Sequence, residues 1–369
     1  MIKAIYWKLL KGLFKKGVYL IRLLIVEDSN VVQELLIYIF NSDPEISIVG
    51  TAKDGIEALE KAAQLKPDII TMDFNMPYMN GLEATRKIMT TNPIPIVIIS
   101  GSLNVKDVER TFNVIDAGAL AVLPKPASPN HPEFEYMAKE LINVVKAMAE
   151  VKLVRRWTKI DNSSNFNPQK IIKKKQNIPK IKAIAIGAST GGPVVLQKIL
   201  SGLPKNIPVP ILIVQHMSDG FIQGFIEWLN HTSSIHVQLG RDGEFPLPGH
   251  AYVAPDGFHM GIDKNGRIDL VNDKPINGLR PTVSYLFRSV ANVLGENVIG
   301  VLLTGMGADG AEELKLMKEK GAVTIVQDKE SSVVFGMPGE AVKIGAETYI
   351  LSPENIISLL TQLTNNMNR

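Results

Sequence analysis

The chain has 369 residues, 45% of them hydrophobic, and a net charge of +3; that length predicts two or three domains with enough apolar material for sizeable cores. It has no cysteine, which excludes disulfides, thiol nucleophiles and thiolate-held metal, and suits a reducing cytoplasm. The charge is unevenly placed: residues 1–20 hold five lysines and no acid, and residues 151–180 hold nine Lys/Arg against Asp161, so these stretches carry +13 and the remainder −10.

Residues 1–20 form a basic extension that mixes lysine with Tyr6, Trp7 and aliphatic residues. Two readings stay open, an interfacial amphipathic helix or a start assigned too early, with translation beginning near Val18 or Leu20. Lysine interrupts the stretch too often for it to span a bilayer, and it lacks the small-residue cleavage site of a signal peptide.

Residues 21–148 alternate apolar runs with polar ends. Leu23–Val26 is followed by Glu27 and Asp28, and Ile69–Met72 by Asp73, with Pro77 breaking the chain beyond. Ile96–Ile99 ends on Ser100, and Ala119–Leu123 runs into Pro124-Lys125-Pro126. Such runs predict buried parallel strands, whose C-terminal lips are where open α/β sheets place their chemistry. A lone aspartate at a lip often only caps the next helix. Three carboxylates, a hydroxyl and a lysine arriving together instead form an oxygen donor set suited to Mg²⁺ and a phosphoryl group, and not to zinc or copper.

Residues 149–181 read as a basic linker, with polar turn-formers (Asn162–Asn167, then Pro168) between basic clusters. No helix-turn-helix pattern follows, so solvated linker charge is favoured over nucleic-acid binding. From residue 182 to 369 a second α/β pattern appears. Ala183–Ile186 leads into Gly187-Ala-Ser189-Thr-Gly191-Gly192-Pro193, a strand, glycine turn and helix that either presents a reactive serine or cradles a phosphate. A P-loop is excluded because no Gly-Lys-Ser/Thr follows. His216 ends the run Ile211–Gln215, and Val298–Leu303 enters Thr304-Gly-Met-Gly-Ala-Asp309-Gly310. The chain order Ser, His, Asp is that of neither an α/β-hydrolase, chymotrypsin nor subtilisin. His231, His236, His250 and His259 are assigned structural or surface roles.

The first pattern resembles the receiver domain of two-component response regulators. The second resembles the catalytic domain of the chemotaxis protein-glutamate methylesterases of the CheB type, through Gln215-His216-Met217, Pro248–Pro255, His259-Met260, Arg280-Pro281, Thr304–Gly310 and Ser332–Pro338. Ser218, Leu279 and Trp228 depart from that family's usual residues near its cleft. The resemblance implies a five-stranded parallel, flavodoxin-like receiver followed by a doubly wound, mainly parallel α/β methylesterase domain. In the receiver it makes Asp73 the phosphoacceptor, with Glu27, Asp28 and Asp73 holding Mg²⁺. Ser100 contacts the phosphoryl oxygens, and Lys125, before an expected cis Pro126, pairs with the phosphate. Val122 stands where the family carries an aromatic switch residue, and Asn75 is a tuning position.

In the catalytic domain the resemblance makes Ser189 the nucleophile, His216 its base and Asp309 the residue that orients His216. The Met306 amide and turn amides near Thr190 become oxyanion donors, Thr190 also supports His216, and the esterase chemistry needs no cofactor. The expected function is phosphorylation-activated removal of methyl groups from glutamyl γ-methyl esters of chemoreceptors, with glutamine deamidation as a companion activity. The partners are methyl-accepting receptors, which hold the protein peripherally at the membrane, and a chemotaxis histidine kinase; nucleic acid is not among them. The rivals are a non-catalytic receptor-binding scaffold and a DNA-binding response regulator.

Overall fold

The computed structural model describes residues 20–101, 112–132, 134–151 and 180–365. Most of the basic extension and of the proposed linker lies outside the described residues. The chain forms two compact units.

In the first unit the apolar runs become parallel strands: β1 (Ile21–Val26), β2 (Ile46–Ala52), β3 (Ile69–Asp73), β4 (Ile96–Ser100) and β5 (Ala121–Pro124). They pair in the order β2-β1-β3-β4-β5. β3 and β4 are buried along their whole length, as a parallel sheet covered on both faces requires. Leu24, Val26, Ile70, Met72, Ile96 and Ile98 share one core cluster, each large side chain contributing about 1.5–3 kcal/mol on burial. The chain leaves β1 for β2 on one side and returns to β3 on the other, so the switch point lies between β1 and β3. Val26 pairs with Met72, and the next step of that register sets Glu27 level with Asp73.

Polar caps start the helices at this end of the sheet. Asp54 accepts from the Ile56 and Glu57 amides at 2.8 and 3.0 Å ahead of the helix Gly55–Leu65. Asn80 accepts from the Glu83 amide at 3.0 Å ahead of Gly81–Thr91. Each such cap contributes about 1 kcal/mol.

The second unit is built on seven strands in the order β14-β13-β12-β6-β7-β9-β8, with β6 (Ala183–Ala188), β7 (Ile211–Gln215), β8 (His236–Leu239), β9 (His250–Val253), β12 (Val298–Leu302), β13 (Val323–Gln327) and β14 (Tyr349–Leu351). Every pairing among them is parallel. β10 (His259–Ile262) and β11 (Ile268–Val271) form a separate antiparallel pair. That pair lies against the helix Val283–Leu294, where the Ile262 amide donates to Ser289 Oγ at 3.1 Å. Phe287 and Val290 of the helix enter one core cluster with Leu212, Tyr252 and Leu302.

From β6 the chain runs to β7, out to the edge strand β8 and back to β9, then crosses to β12 on the other side of β6. The switch point therefore lies between β6 and β12. Among the described residues the cis peptide bond is Arg280–Pro281. The bond before Pro126 is trans, contrary to the sequence expectation.

Candidate functional sites

In the first unit, the last residues of β3 and β4 and the loops after β1 and β5 bring the expected residues together. Glu27, Asp73 and Ser100 are buried, while Asp28 is exposed. Carboxylate oxygens of Glu27, Asp28 and Asp73 lie within 4.8 Å of one another. Lys125 Nζ donates to Asp73 Oδ2 at 2.9 Å and to Glu27 Oε1 at 2.9 Å. The Ser29 amide donates to Glu27 Oε1 at 3.1 Å, and the Asn75 amide approaches Asp73 Oδ1 at 3.4 Å.

One lysine facing three carboxylates leaves the cluster short of positive charge. Burial pushes Glu27 up to about 6, against the opposing pull of its Lys125 hydrogen bond. Burial likewise raises Asp73 despite the same lysine. For Lys125 burial acts downward, and the two carboxylates outweigh it, so its ammonium is held above the ordinary range. Ser100 Oγ is buried with no hydrogen-bond partner among the described residues, a condition costing about 1–3 kcal/mol when nothing is bound. An all-oxygen donor set with excess negative charge and an unpartnered hydroxyl fits a hard divalent cation carrying an oxyanion. Val122, in β5, packs its aliphatic side chain against the core of this unit, so no aromatic ring occupies that position.

In the second unit the nucleophile turn follows β6. Ser189 and Thr190 are half-buried, and Gly191 takes φ +78°, which a side chain would strain, to start the helix Gly192–Gly202. The Ser189 amide donates to Thr304 O at 3.0 Å. A Cβ on Gly305 would lie 2.7 Å from Ser189 Cβ, so only glycine lets the β12 loop come this close. Gln215 Nε2 donates to Ser189 O at 2.9 Å and to His216 O at 2.7 Å, tying the loops after β6 and β7 together. The His216 amide donates to Ala188 O at 2.9 Å.

His216 Nε2 lies 2.9 Å from Asp309 Oδ2, a hydrogen-bond distance with the N–H directed off the line between them. Asp309 is held by the first turn of the helix Val283–Leu294: the Val283 amide donates to Oδ2 at 2.7 Å and the Ser284 amide to Oδ1 at 3.1 Å. Burial alone would raise Asp309, and the His216 contact and charge with the Ser284 and Val283 donors outweigh it, so the carboxyl is held below its usual range. A helix N-terminus favours a carboxylate for the same reason.

The serine thus sits on the central strand, with the histidine past the neighbour on one side and the acid past the neighbour on the other. Thr190 does not reach His216 by any hydrogen bond among the described residues; its carbonyl lies 3.0 Å from Thr304 Oγ1. The Met306 and Thr190 amides have no protein acceptor among the described residues, and Met306 is exposed.

Two buried polar residues had no assigned role in the sequence. Thr304 Oγ1 also accepts from the Val334 amide at 2.9 Å. Gln327 Oε1 accepts from the Thr304 amide at 2.8 Å, and its Nε2 donates to Ser331 O at 2.9 Å. They lock the loops after β6, β12 and β13. The available signal was a threonine opening a glycine-rich loop and a glutamine closing an apolar strand, each too common to stand out.

Two family models match the chain, CheB methylesterase over residues 184–360 and response regulator receiver domain over residues 23–132. A protein-glutamate methylesterase/protein-glutamine glutaminase of Nitrosospira multiformis is 53% identical over 344 residues, covering 93% of this chain and 97% of that relative. Protein-glutamate methylesterase/protein-glutamine glutaminase 4 of Geobacter metallireducens is 53% identical over 346 residues, covering 93% and 99%. Among solved structures, the CheB methylesterase catalytic domain of Thermotoga maritima is 40% identical, covering 50% of this chain and 99% of that one, with a TM-score of 0.49.

Proposed function

The chain belongs to the CheB-type family of protein-glutamate methylesterases/protein-glutamine glutaminases, and from that premise we propose how its own residues do the work. The reaction is hydrolysis of glutamyl γ-methyl esters on chemoreceptors, controlled by phosphorylation of the receiver. Ser189 Oγ attacks the ester carbonyl. With Nε2 of His216 turned to Asp309, Nδ1 is the nitrogen that takes the serine proton and returns it to methanol as the C–O bond breaks. Asp309 keeps the ring oriented and stabilises the imidazolium. The free Met306 and Thr190 amides stabilise the oxyanion, each worth about 3 kcal/mol. Water, deprotonated by the same nitrogen, then releases the glutamate and restores Ser189. A glutamine side chain follows the same path with ammonia leaving in place of methanol.

In the receiver, Asp73 takes a phosphoryl group from a chemotaxis histidine kinase. Glu27, Asp28 and Asp73 are the residues that would hold Mg²⁺, which supplies charge neutralisation for the phosphoryl oxygens. The Ser100 hydroxyl and the Lys125 ammonium face those oxygens, and Lys125 exchanges its carboxylate partners for them. The protein works in the cytoplasm, at the membrane surface through its receptor substrates; no helix among the described residues is long and apolar enough to cross a bilayer.

The observation that carries the catalytic assignment is the approach of His216 to Asp309 while that carboxylate is clamped by two helix amides. No observation favours a non-catalytic scaffold. The test is methanol release from methylated receptor membranes, with Mg²⁺ and a small phosphodonor present or omitted. Release should rise with phosphodonor, vanish in Ser189→Ala and stay at its basal level in Asp73→Asn. Absence of release from the wild type on several receptors would overturn the reading.

A further inference from the structure

We propose that His259 is a positioning residue for the esterase, acting through Thr282 and the first turn of the helix Val283–Leu294 on Asp309. This rests on the assignment of Ser189, His216 and Asp309 as the reacting groups. The reaction uses one of the six histidines, and of the others His259 is the one that is fully buried. A buried imidazole needs partners for both nitrogens, and it has them. Nε2 lies 3.2 Å from Lys274 O and Nδ1 lies 3.3 Å from Thr282 Oγ1. The ring stacks on Tyr285 with centroids 5.2 Å apart and planes 19° from parallel.

The Nε2 contact selects the tautomer. A backbone carbonyl only accepts, so in the neutral imidazole Nε2 carries the ring proton and Nδ1 presents a lone pair. The Thr282 hydroxyl then donates to Nδ1, which turns its own lone pairs towards the Tyr285 amide 3.3 Å away. That last bond is the N-cap of the helix. Thr282 is fully buried, so water cannot replace His259 as the acceptor that orients the hydroxyl.

The capped turn is the one whose amides hold Asp309, at 2.7 Å from Val283 and 3.1 Å from Ser284. Ser284 Oγ further accepts from the Gly310 amide at 3.1 Å, joining the same turn to the loop that carries the aspartate. Oδ2, which receives the Val283 amide, is also the oxygen 2.9 Å from His216 Nε2. The chain of bonds from Lys274 through His259, Thr282 and the helix terminus therefore ends on the oxygen that orients the catalytic base. Displacements well under a bond length there are costly, because about 1 Å of misplacement removes on the order of 100-fold in rate.

The experiment measures steady-state methanol release by the full-length protein, with phosphodonor, on methylated receptor membranes. His259→Leu, which cannot accept from Thr282, should lower kcat about 10- to 100-fold with KM changed less than about 3-fold. His259→Asn, whose side-chain oxygen can accept near the Nδ1 position, should retain most of the activity. Thr282→Val should behave as His259→Leu, and Thr282→Ser as the wild type. In an Asp309→Ala background, His259→Leu should cost nothing more, since the group it positions is gone. Wild-type kcat in His259→Leu, a change in KM alone, or an equal further loss in the Asp309→Ala background would each overturn the inference. Should His259→Leu fail to fold, Thr282→Val and Thr282→Ser in the two backgrounds decide the matter by the same criteria. No release by the wild type would instead overturn the esterase assignment, and the inference with it.

Discussion

The two sites occupy equivalent places in their sheets, at a switch point past the carboxyl ends of parallel strands, yet their electrostatics are opposite. The receiver cluster is under-compensated: Glu27 and Asp73 are pushed upward by burial, one lysine serves both, and the Ser100 hydroxyl has no partner among the described residues. The esterase acid is compensated: Asp309 sits below its usual range with two backbone donors, and its loops are locked through Thr304 and Gln327. A site that must acquire and lose a phosphoryl group benefits from unmet demand at rest. A site that must stabilise the same charge in every turnover benefits from donors already in place.

Removing the nucleophile is the severest way to break the contrast. Ser189→Ala should reduce methanol release at least about 10⁴-fold while leaving phosphorylation of Asp73 by a small phosphodonor intact, measured on the same preparation by radiolabel incorporation. Asp309→Asn should cost about 10³- to 10⁴-fold in kcat, since an amide offers the helix terminus and His216 no charge. Asp73→Asn removes unmet demand on the other side: it should abolish the rise in kcat caused by phosphodonor and leave the basal rate near that of the resting wild type.

Thr304→Val probes the loop lock of the esterase site without touching the reacting groups. It leaves Thr190 O and the Val334 amide without their side-chain partner, and should lower unfolding free energy by about 1–3 kcal/mol, read by urea denaturation of the full chain. The smallest effect is a divergence with pH. Glu27 is raised from 4.5 to about 6, so its folded form binds the extra proton, and the receiver should gain stability as pH falls from about 7 towards 4.5 in metal-free buffer. Asp309 is lowered, so its contribution is complete above its ordinary value and is lost as pH falls below 3.8 through the folded one. Acidification should therefore favour the first unit before it harms the second, and Glu27→Gln should flatten the first response. Parallel melting of the two units across this range would contradict the comparison.

Much of this was legible in the chain because buried parallel strands write themselves as apolar runs. Leu23–Val26, Ile69–Met72, Ile96–Ile99, Ala183–Ile186 and Ile211–Val214 are each strands, and the polar residue ending each run falls at a sheet edge because the run ends there. Glu27, Asp73, Ser100, Lys125, Ser189, His216 and Asp309 could be picked out on that pattern. The cis bond was misplaced, since the local sequence before Pro126 offers no signal that separates cis from trans. The expected support of His216 by Thr190 corresponds to no hydrogen bond among the described residues, since two residues on adjacent turns have no fixed mutual geometry until the strands pair.

The two α/β units, the identity of their polar lips and the excess of acid over lysine in the first could be read from the chain, because period, run length and residue chemistry are local properties. Tertiary structure alone decided that β12 lies beside β6, so that an aspartate 120 residues beyond the serine meets its histidine. It alone decided that the helix Val283–Leu294 aims its amides at Asp309, and that a buried His259 stands behind that helix's cap. Those arrangements come from strand order and from the need to pair every buried donor and acceptor, and both are settled only when the whole core closes.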